Sequence, residues 1–172
     1  MIAVIDYGAG NLRSVLNAFE AIGREARVVD DPAGLAKASA IVLPGVGAFG
    51  DGMARLRRLG LVEALNEQVL VHKKPYLGIC LGLQLLAHES FEHGSHEGLG
   101  WIGGTVQRIG PQDGRYRVPH IGWNAVQIER SSALFDGLDE EPVFYFVHSY
   151  HLVVQPQAVD VVTSSCWHGV TI

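Results

Sequence analysis

A cysteine held between two glycines, in Tyr76-Leu-Gly78-Ile-Cys80-Leu-Gly82-Leu-Gln84, constrains this chain more than any other segment. The apolar run Tyr76–Ile79 reads as a strand. The helix-favouring stretch Leu81–Glu89 follows with no residues left over for a loop. Strand and helix must therefore meet at a sharp turn with the thiol at its apex. Glycine two positions to either side suits that geometry, because it has no Cβ to clash where backbones crowd. The same Gly-x-nucleophile-x-Gly arrangement presents the serine of hydrolase elbows. A thiol at the start of a helix meets unpaired N–H groups and the positive end of the helix dipole, both of which favour thiolate. The pattern makes Cys80 a candidate nucleophile; the competing reading is an ordinary buried cysteine.

The chain has 172 residues, enough for one domain with a substantial core. A net charge of −5 and the lack of any Lys/Arg block argue against a nucleic-acid binder. No apolar run approaches the ~20 residues of a membrane span. The N-terminus enters Ile2-Ala-Val-Ile5 directly, without a secretory pattern. A cytosolic location is expected, and a structural disulfide between Cys80 and Cys166 is not.

Short apolar runs alternate with amphipathic ones through the first half. Strands are expected at Ile2–Ile5, Ala26–Val29, Ala40–Leu43 and Tyr76–Ile79. Helices are expected over Asn11–Ile22, with Leu12, Val15, Leu16 and Phe19 on one face, and over Met53–Leu59 and Leu61–Val71, split near Gly60. This alternation, with near-continuous apolar strands, predicts a parallel sheet covered on both faces. Sites in such sheets lie beyond the carboxyl ends of the strands, and the glycine-rich segments after Ile5, Leu43 and Ile79 all fall there. From Gly103 on the pattern changes to β-branched and aromatic runs, expected as a mixed or antiparallel extension: Thr105–Ile109, Asn124–Ile128, Val143–Val154 and Val159–Ser164. Phe91–Gly98 reads as a loop. No linker divides the chain, so one domain over residues 1–172 is expected.

Other segments could carry chemistry. Pro44-Gly45-Val46-Gly47 could turn its backbone N–H groups toward a developing oxyanion, or be a plain glycine turn. Tyr7-Gly8-Ala-Gly10-Asn11 partly resembles a dinucleotide fingerprint, with Asp30 about twenty residues on, but Arg13 stands where its third glycine belongs. No cofactor is expected. His88, His93 and His96 match no common zinc spacing, and no metal is expected. In Phe146-Val-His148-Ser149-Tyr150-His151, alternation places His148 and Tyr150 on one strand face. His148 has no nearby carboxylate to orient it as a base. Trp123, in Pro119-His120-Ile-Gly-Trp123-Asn124, is either a core plug or an interface anchor.

Together these segments resemble class I glutamine amidotransferase domains, most closely the glutaminase subunits of imidazole glycerol phosphate synthases. The resemblance rests on Asp6-Tyr7-Gly8-Ala-Gly10-Asn11, Pro44–Phe49 with Gly50 and Gly52-Met53, Gly78–Leu86, Pro119–Asn124 and Phe146–Tyr150, in family order over nearly the whole chain. It implies a three-layer αβα, flavodoxin-like α/β fold with a mostly parallel central sheet and an added antiparallel β extension. It further implies that Cys80 attacks glutamine, that Gly45, Val46, Gly47 and Leu81 form the oxyanion hole, and that Gln84, His148, Ser149 and Tyr150 hold the substrate. Asn11, Pro119, His120, Trp123 and Asn124 would face a (βα)8-barrel cyclase subunit in a heterodimer that receives the ammonia. The family's general base lies in a His-Pro-Glu motif, and these 172 residues contain no His-x-Glu. The resemblance therefore implies a chain shortened by roughly thirty residues and an impaired glutaminase. Two other classes stand beside it: a non-catalytic module docking on a synthase barrel, and another cysteine hydrolase of the superfamily. The latter would want a histidine beside the nucleophile, where Leu81 stands.

Overall fold

The structure, a computed structural model, describes residues 1–110, 118–128 and 132–155 and the backbone of 164–166. The chain forms two compact units, residues 1–101 and 102–172.

The first unit is built on a parallel sheet. Strands β1 (Ile2–Ile5), β2 (Ala26–Val29), β3 (Ala40–Gly45) and β4 (Tyr76–Cys80) lie in the order β2-β1-β3-β4, and every pairing is parallel. All four expected strands form, and β3 runs on to Gly45. The order reverses between β1 and β3. In open α/β sheets that reversal is where the connecting segments diverge and leave a crevice. Helix α1 (Leu12–Ala21) is capped by Asn11, whose Oδ1 accepts from the Ser14 N–H at 3.3 Å. Its expected face of Leu12, Val15, Leu16 and Phe19 is half-buried. Helix α2 (Pro32–Lys37) is absent from the sequence reading. Its signals are Asp31, which caps the Gly34 N–H at 2.6 Å, and Pro32 in the first turn.

Helices α3 (Phe49–Arg58) and α4 (Leu61–Leu65) are separated at Gly60, whose φ of 65° only glycine adopts readily. A wider π-helical turn continues α4 from Asn66 to Val71. Leu43, Phe49, Met53, Leu56, Leu61 and Leu65 are fully buried and form much of the core.

The segment after Cys80 departs from expectation. Helix α5 covers only Leu81–Gln84, and the chain re-extends as β5 (Ala87–Ser90), which pairs antiparallel with β6 (His96–Glu97) inside the expected loop. Leu85, Leu86 and Ala87 are buried in succession, which a one-faced helix cannot do. The carbonyls of Leu85, Ala87 and His88 instead accept from the N–H groups of Leu99, Gly100 and Gly98.

The second unit is antiparallel. Strand β7 (Ile102–Arg108) pairs with β10 (Tyr150–Val154), with Tyr150 opposite Arg108. Strand β8 (His120–Ile128) pairs with β9 (Val143–His148), with His120 opposite His148, and β11 (Ser164–Cys166) joins β8. The expected β extension is present, its long run split at Ser149. The strand expected over Val159–Ser164 lies outside the described residues except for Ser164. Among the described residues no helix is long and apolar enough to cross a membrane.

Candidate active site

Cys80 ends β4 and begins α5 with φ 53° and ψ −112°, a conformation that residues with a Cβ seldom hold. Such a residue costs about 1–3 kcal/mol and persists only where its surroundings over-determine it. Both neighbouring glycines are required sterically. A β-carbon on Gly78 would lie 2.5 Å from the Gly82 carbonyl oxygen, and one on Gly82 would overlap the Leu43 carbonyl. Tyr76 fixes the turn from the other side. Its hydroxyl donates to the Gly82 carbonyl at 2.9 Å, and its ring meets Trp101 edge-on at 5.0 Å. Trp101 is held in turn by its indole N–H, which donates to Asn66 Oδ1 at 2.7 Å. The turn leaves the Cys80 side chain exposed, so the buried-cysteine reading fails.

The segment expected to form the oxyanion hole stands beside this turn. Gly45 is the register partner of Cys80 across β3 and β4. Val46 is 60% exposed, Gly47 has φ 103°, and Leu81 is buried. Helix α3 starts immediately after, at Phe49, whose N–H donates to Glu92 Oε2 at 2.7 Å. Glu92 thus caps α3 from 43 residues away, a role that its place in a polar stretch does not reveal. Gln84 is half-buried on α5.

Tyr7 is the residue of this region that sequence reasoning missed. It follows β1 and is 1% exposed, and its hydroxyl has no hydrogen-bond partner. An unpaired buried hydroxyl costs about 1–3 kcal/mol. Burial, followed by the nearby Cys80 thiol, pushes the Tyr7 phenol far above its ordinary range, against a smaller opposing pull from Arg55. Burial likewise raises Tyr76, with Tyr7 adding to it. The Arg55 guanidinium donates to the Gly8 carbonyl.

In the second unit His148, His120 and Asn124 form a chain of hydrogen bonds. His148 Nδ1 lies 2.9 Å from the Tyr150 carbonyl, and its Nε2 lies 3.1 Å from His120 Nδ1. His120 Nε2 lies 2.6 Å from Asn124 Nδ2. One assignment is consistent with these three contacts: Asn124 donates to His120, His120 to His148, and His148 to the carbonyl. Both nitrogens of His148 are then occupied, which does not suit a free general base. His120, expected at a partner surface, is 6% exposed and stacks on Phe146 at 4.6 Å. Trp123 is 71% exposed and its ring meets that of Tyr145 edge-on in its own sheet, so it is not a core plug. Pro119 and Asn11 are exposed, and the Ser149 carbonyl accepts from the Ile109 N–H. Among the described residues no group of His, Cys, Asp or Glu could hold a metal ion. The Cys166 side chain lies outside the described residues.

Residues 3–169 match the family Glutamine amidotransferase class-I. The chain is 48% identical over 159 residues to Imidazole glycerol phosphate synthase subunit HisH 1 of Campylobacter jejuni (strain RM1221), covering 92% of this chain and 79% of that protein. It is 49% identical over 176 residues to Imidazole glycerol phosphate synthase subunit HisH of Syntrophotalea carbinolica, covering 99% of this chain and 84% of that protein. Among solved structures, PurLQS from Thermotoga maritima superimposes with a TM-score of 0.68 at 21% identity, over 96% of this chain and 74% of that one, which supports the α/β fold. The chain belongs to the class-I glutamine amidotransferase family and, within it, to the HisH subunits of imidazole glycerol phosphate synthase.

Proposed function

We propose that this chain is the glutaminase subunit of an imidazole glycerol phosphate synthase, with Cys80 as its nucleophile. The observation that carries the assignment of Cys80 is its strained, exposed position at the β4–α5 turn, beside Gly45. The Cys80 sulfur attacks the side-chain amide carbon of glutamine, and the carbonyl oxygen takes up the negative charge. N–H groups of the Gly45–Gly47 segment and of Leu81 receive that charge; one such donor is typically worth ~3 kcal/mol. The tetrahedral intermediate collapses with loss of ammonia and leaves a glutamyl thioester. Water then adds to the thioester, and glutamate leaves as the sulfur is restored. Gln84, on the helical turn that follows Cys80, holds the substrate. Ammonia passes to a cyclase subunit with a (βα)8 barrel, for which Trp123, Pro119 and Asn124 offer a contact surface. Direct transfer matters because ammonia in bulk water near neutral pH is mostly protonated and then no nucleophile. A cytosolic setting keeps the thiol reduced.

The proton carrier for the departing ammonia is absent from these 172 residues as a His-x-Glu pair. General base catalysis typically contributes ~10²–10⁴-fold. Glutamate release by these 172 residues should therefore be near background and should rise by that factor when a His-Pro-Glu-bearing family segment is added. Vigorous hydrolysis by the 172 residues alone would show that the base lies elsewhere.

A further inference from the structure

Helix α5 makes one turn and stops, which leaves a carbonyl beside the nucleophile without its helical partner. The Leu81 carbonyl accepts from the Leu85 N–H at 2.9 Å, as a helix requires. The next bond of that ladder would run from the Leu86 N–H to the Gly82 carbonyl. The Leu86 N–H instead donates to the Leu83 carbonyl at 3.1 Å, where the chain tightens before re-extending as β5. Gly82 is buried, so an unpaired carbonyl there would carry a desolvation penalty. The Tyr76 hydroxyl takes the place of the missing N–H and donates to that carbonyl at 2.9 Å.

This bond closes the turn that carries Cys80. A β-carbon on Gly78 would meet the Gly82 carbonyl carbon and oxygen and the Leu83 nitrogen, all within 2.6 Å. Tyr76 stands two residues before Gly78 on the same face of β4, so it reaches the carbonyl for which Gly78 leaves room. Its hydroxyl pins the helical limb of the turn to the strand limb, with Cys80 between them at φ 53°. A residue held there persists only where neighbouring contacts over-determine it. The Tyr76 ring is placed by Trp101, edge-on at 5.0 Å, and Trp101 by Asn66 at the start of the π-helical turn. The series Asn66, Trp101, Tyr76 and Gly82 lies within the first unit and ends on the nucleophile's own turn.

We propose that Tyr76 is a positioning residue for the nucleophile: its hydroxyl, aligned through Trp101 and Asn66, holds the Gly82 carbonyl and thereby keeps Cys80 in the conformation from which its sulfur reaches substrate. The inference rests on the reading of Cys80 as the nucleophile. Phenylalanine would fill the same space against Trp101, so the hydroxyl, not the ring, is what this position adds to the turn.

The test compares two labels on the same cysteine in the folded chain. The chloroketone analogue of glutamine reacts from a bound and aligned position, whereas iodoacetamide samples the thiol itself. Adducts are located by peptide mass spectrometry, and circular dichroism keeps both measurements on folded protein. Tyr76→Phe should lower the chloroketone rate relative to the iodoacetamide rate by about fivefold, the rate equivalent of one net hydrogen bond. A role confined to stability would leave that ratio where it is. Trp101→Phe keeps an aromatic edge for Tyr76 and removes the indole N–H. The ratio should then fall by about twofold, and the two substitutions together should cost less than their product, since both act through one hydroxyl. Should Tyr76→Phe fail to fold, Trp101→Phe carries the test alone. An unchanged ratio in the folded variant overturns the inference while leaving Cys80 as nucleophile. Absence of any chloroketone adduct on Cys80 in the unmodified chain removes the nucleophile reading and the inference together.

Discussion

The Leu43 carbonyl of β3 occupies the space that a β-carbon on Gly82 would need. Backbone touches backbone there, so α5 rides directly on the neighbouring strand and the turn that carries Cys80 cannot relax. Gly82→Ala must push α5 off β3. The expected cost is about 1–3 kcal/mol, the usual range for overpacking a close contact. Urea unfolding measures the loss, and alkylation of Cys80 should slow in the same variant.

Strain at Cys80 gives a prediction of opposite sign. Its φ of 53° is one that glycine adopts freely. Cys80→Gly should abolish labelling of this position by a glutamine-analogue electrophile yet raise stability by about 1 kcal/mol, the strain relieved less the added chain entropy of glycine. A gain in the urea midpoint with an unchanged slope checks it. A loss of stability would mean that the turn is unstrained.

Alkaline pH should unfold the first unit through Tyr7 and Tyr76. Folding raises the phenol of Tyr7 and of Tyr76 above the ordinary value of 10.0. Each therefore contributes stability that is fully present below pH 10 and lost as pH rises beyond it, because the unfolded chain ionises first. The slope is about 1.4 kcal/mol per pH unit for each tyrosine. Tyr7→Phe should remove one share of that slope, measured as urea stability between pH 9 and pH 11.

The exposed Trp123 tests docking separately from chemistry. Trp123→Ala should weaken binding of a cyclase barrel by about 2 kcal/mol or more, as a buried aromatic anchor does. Cys80→Ala should leave that binding unchanged. Isothermal titration of the two variants against the same barrel checks both.

The parallel sheet could be read from the sequence because β1, β3 and β4 are short apolar runs between glycine-rich turns. The elbow could be read because a thiol between Gly78 and Gly82 has few other uses. Other features could not be read, for physical reasons. The reach of α5 depends on where the Leu85, Ala87 and His88 carbonyls find partners, and those partners, Leu99, Gly100 and Gly98, lie well further along the chain. Tyr7 looks like one more aromatic after a strand. Only its placement against Gly45 shows a hydroxyl with no partner. The burial of His120 follows from its register opposite His148, which single-strand alternation does not fix.

The most direct test is reaction of the folded chain with a glutamine-analogue electrophile, followed by peptide mass spectrometry. One adduct, on Cys80 and blocked by excess glutamine, is the predicted result. Equal modification of Cys80 and Cys166, or none on Cys80, would contradict the assignment of the strained turn as the glutaminase nucleophile.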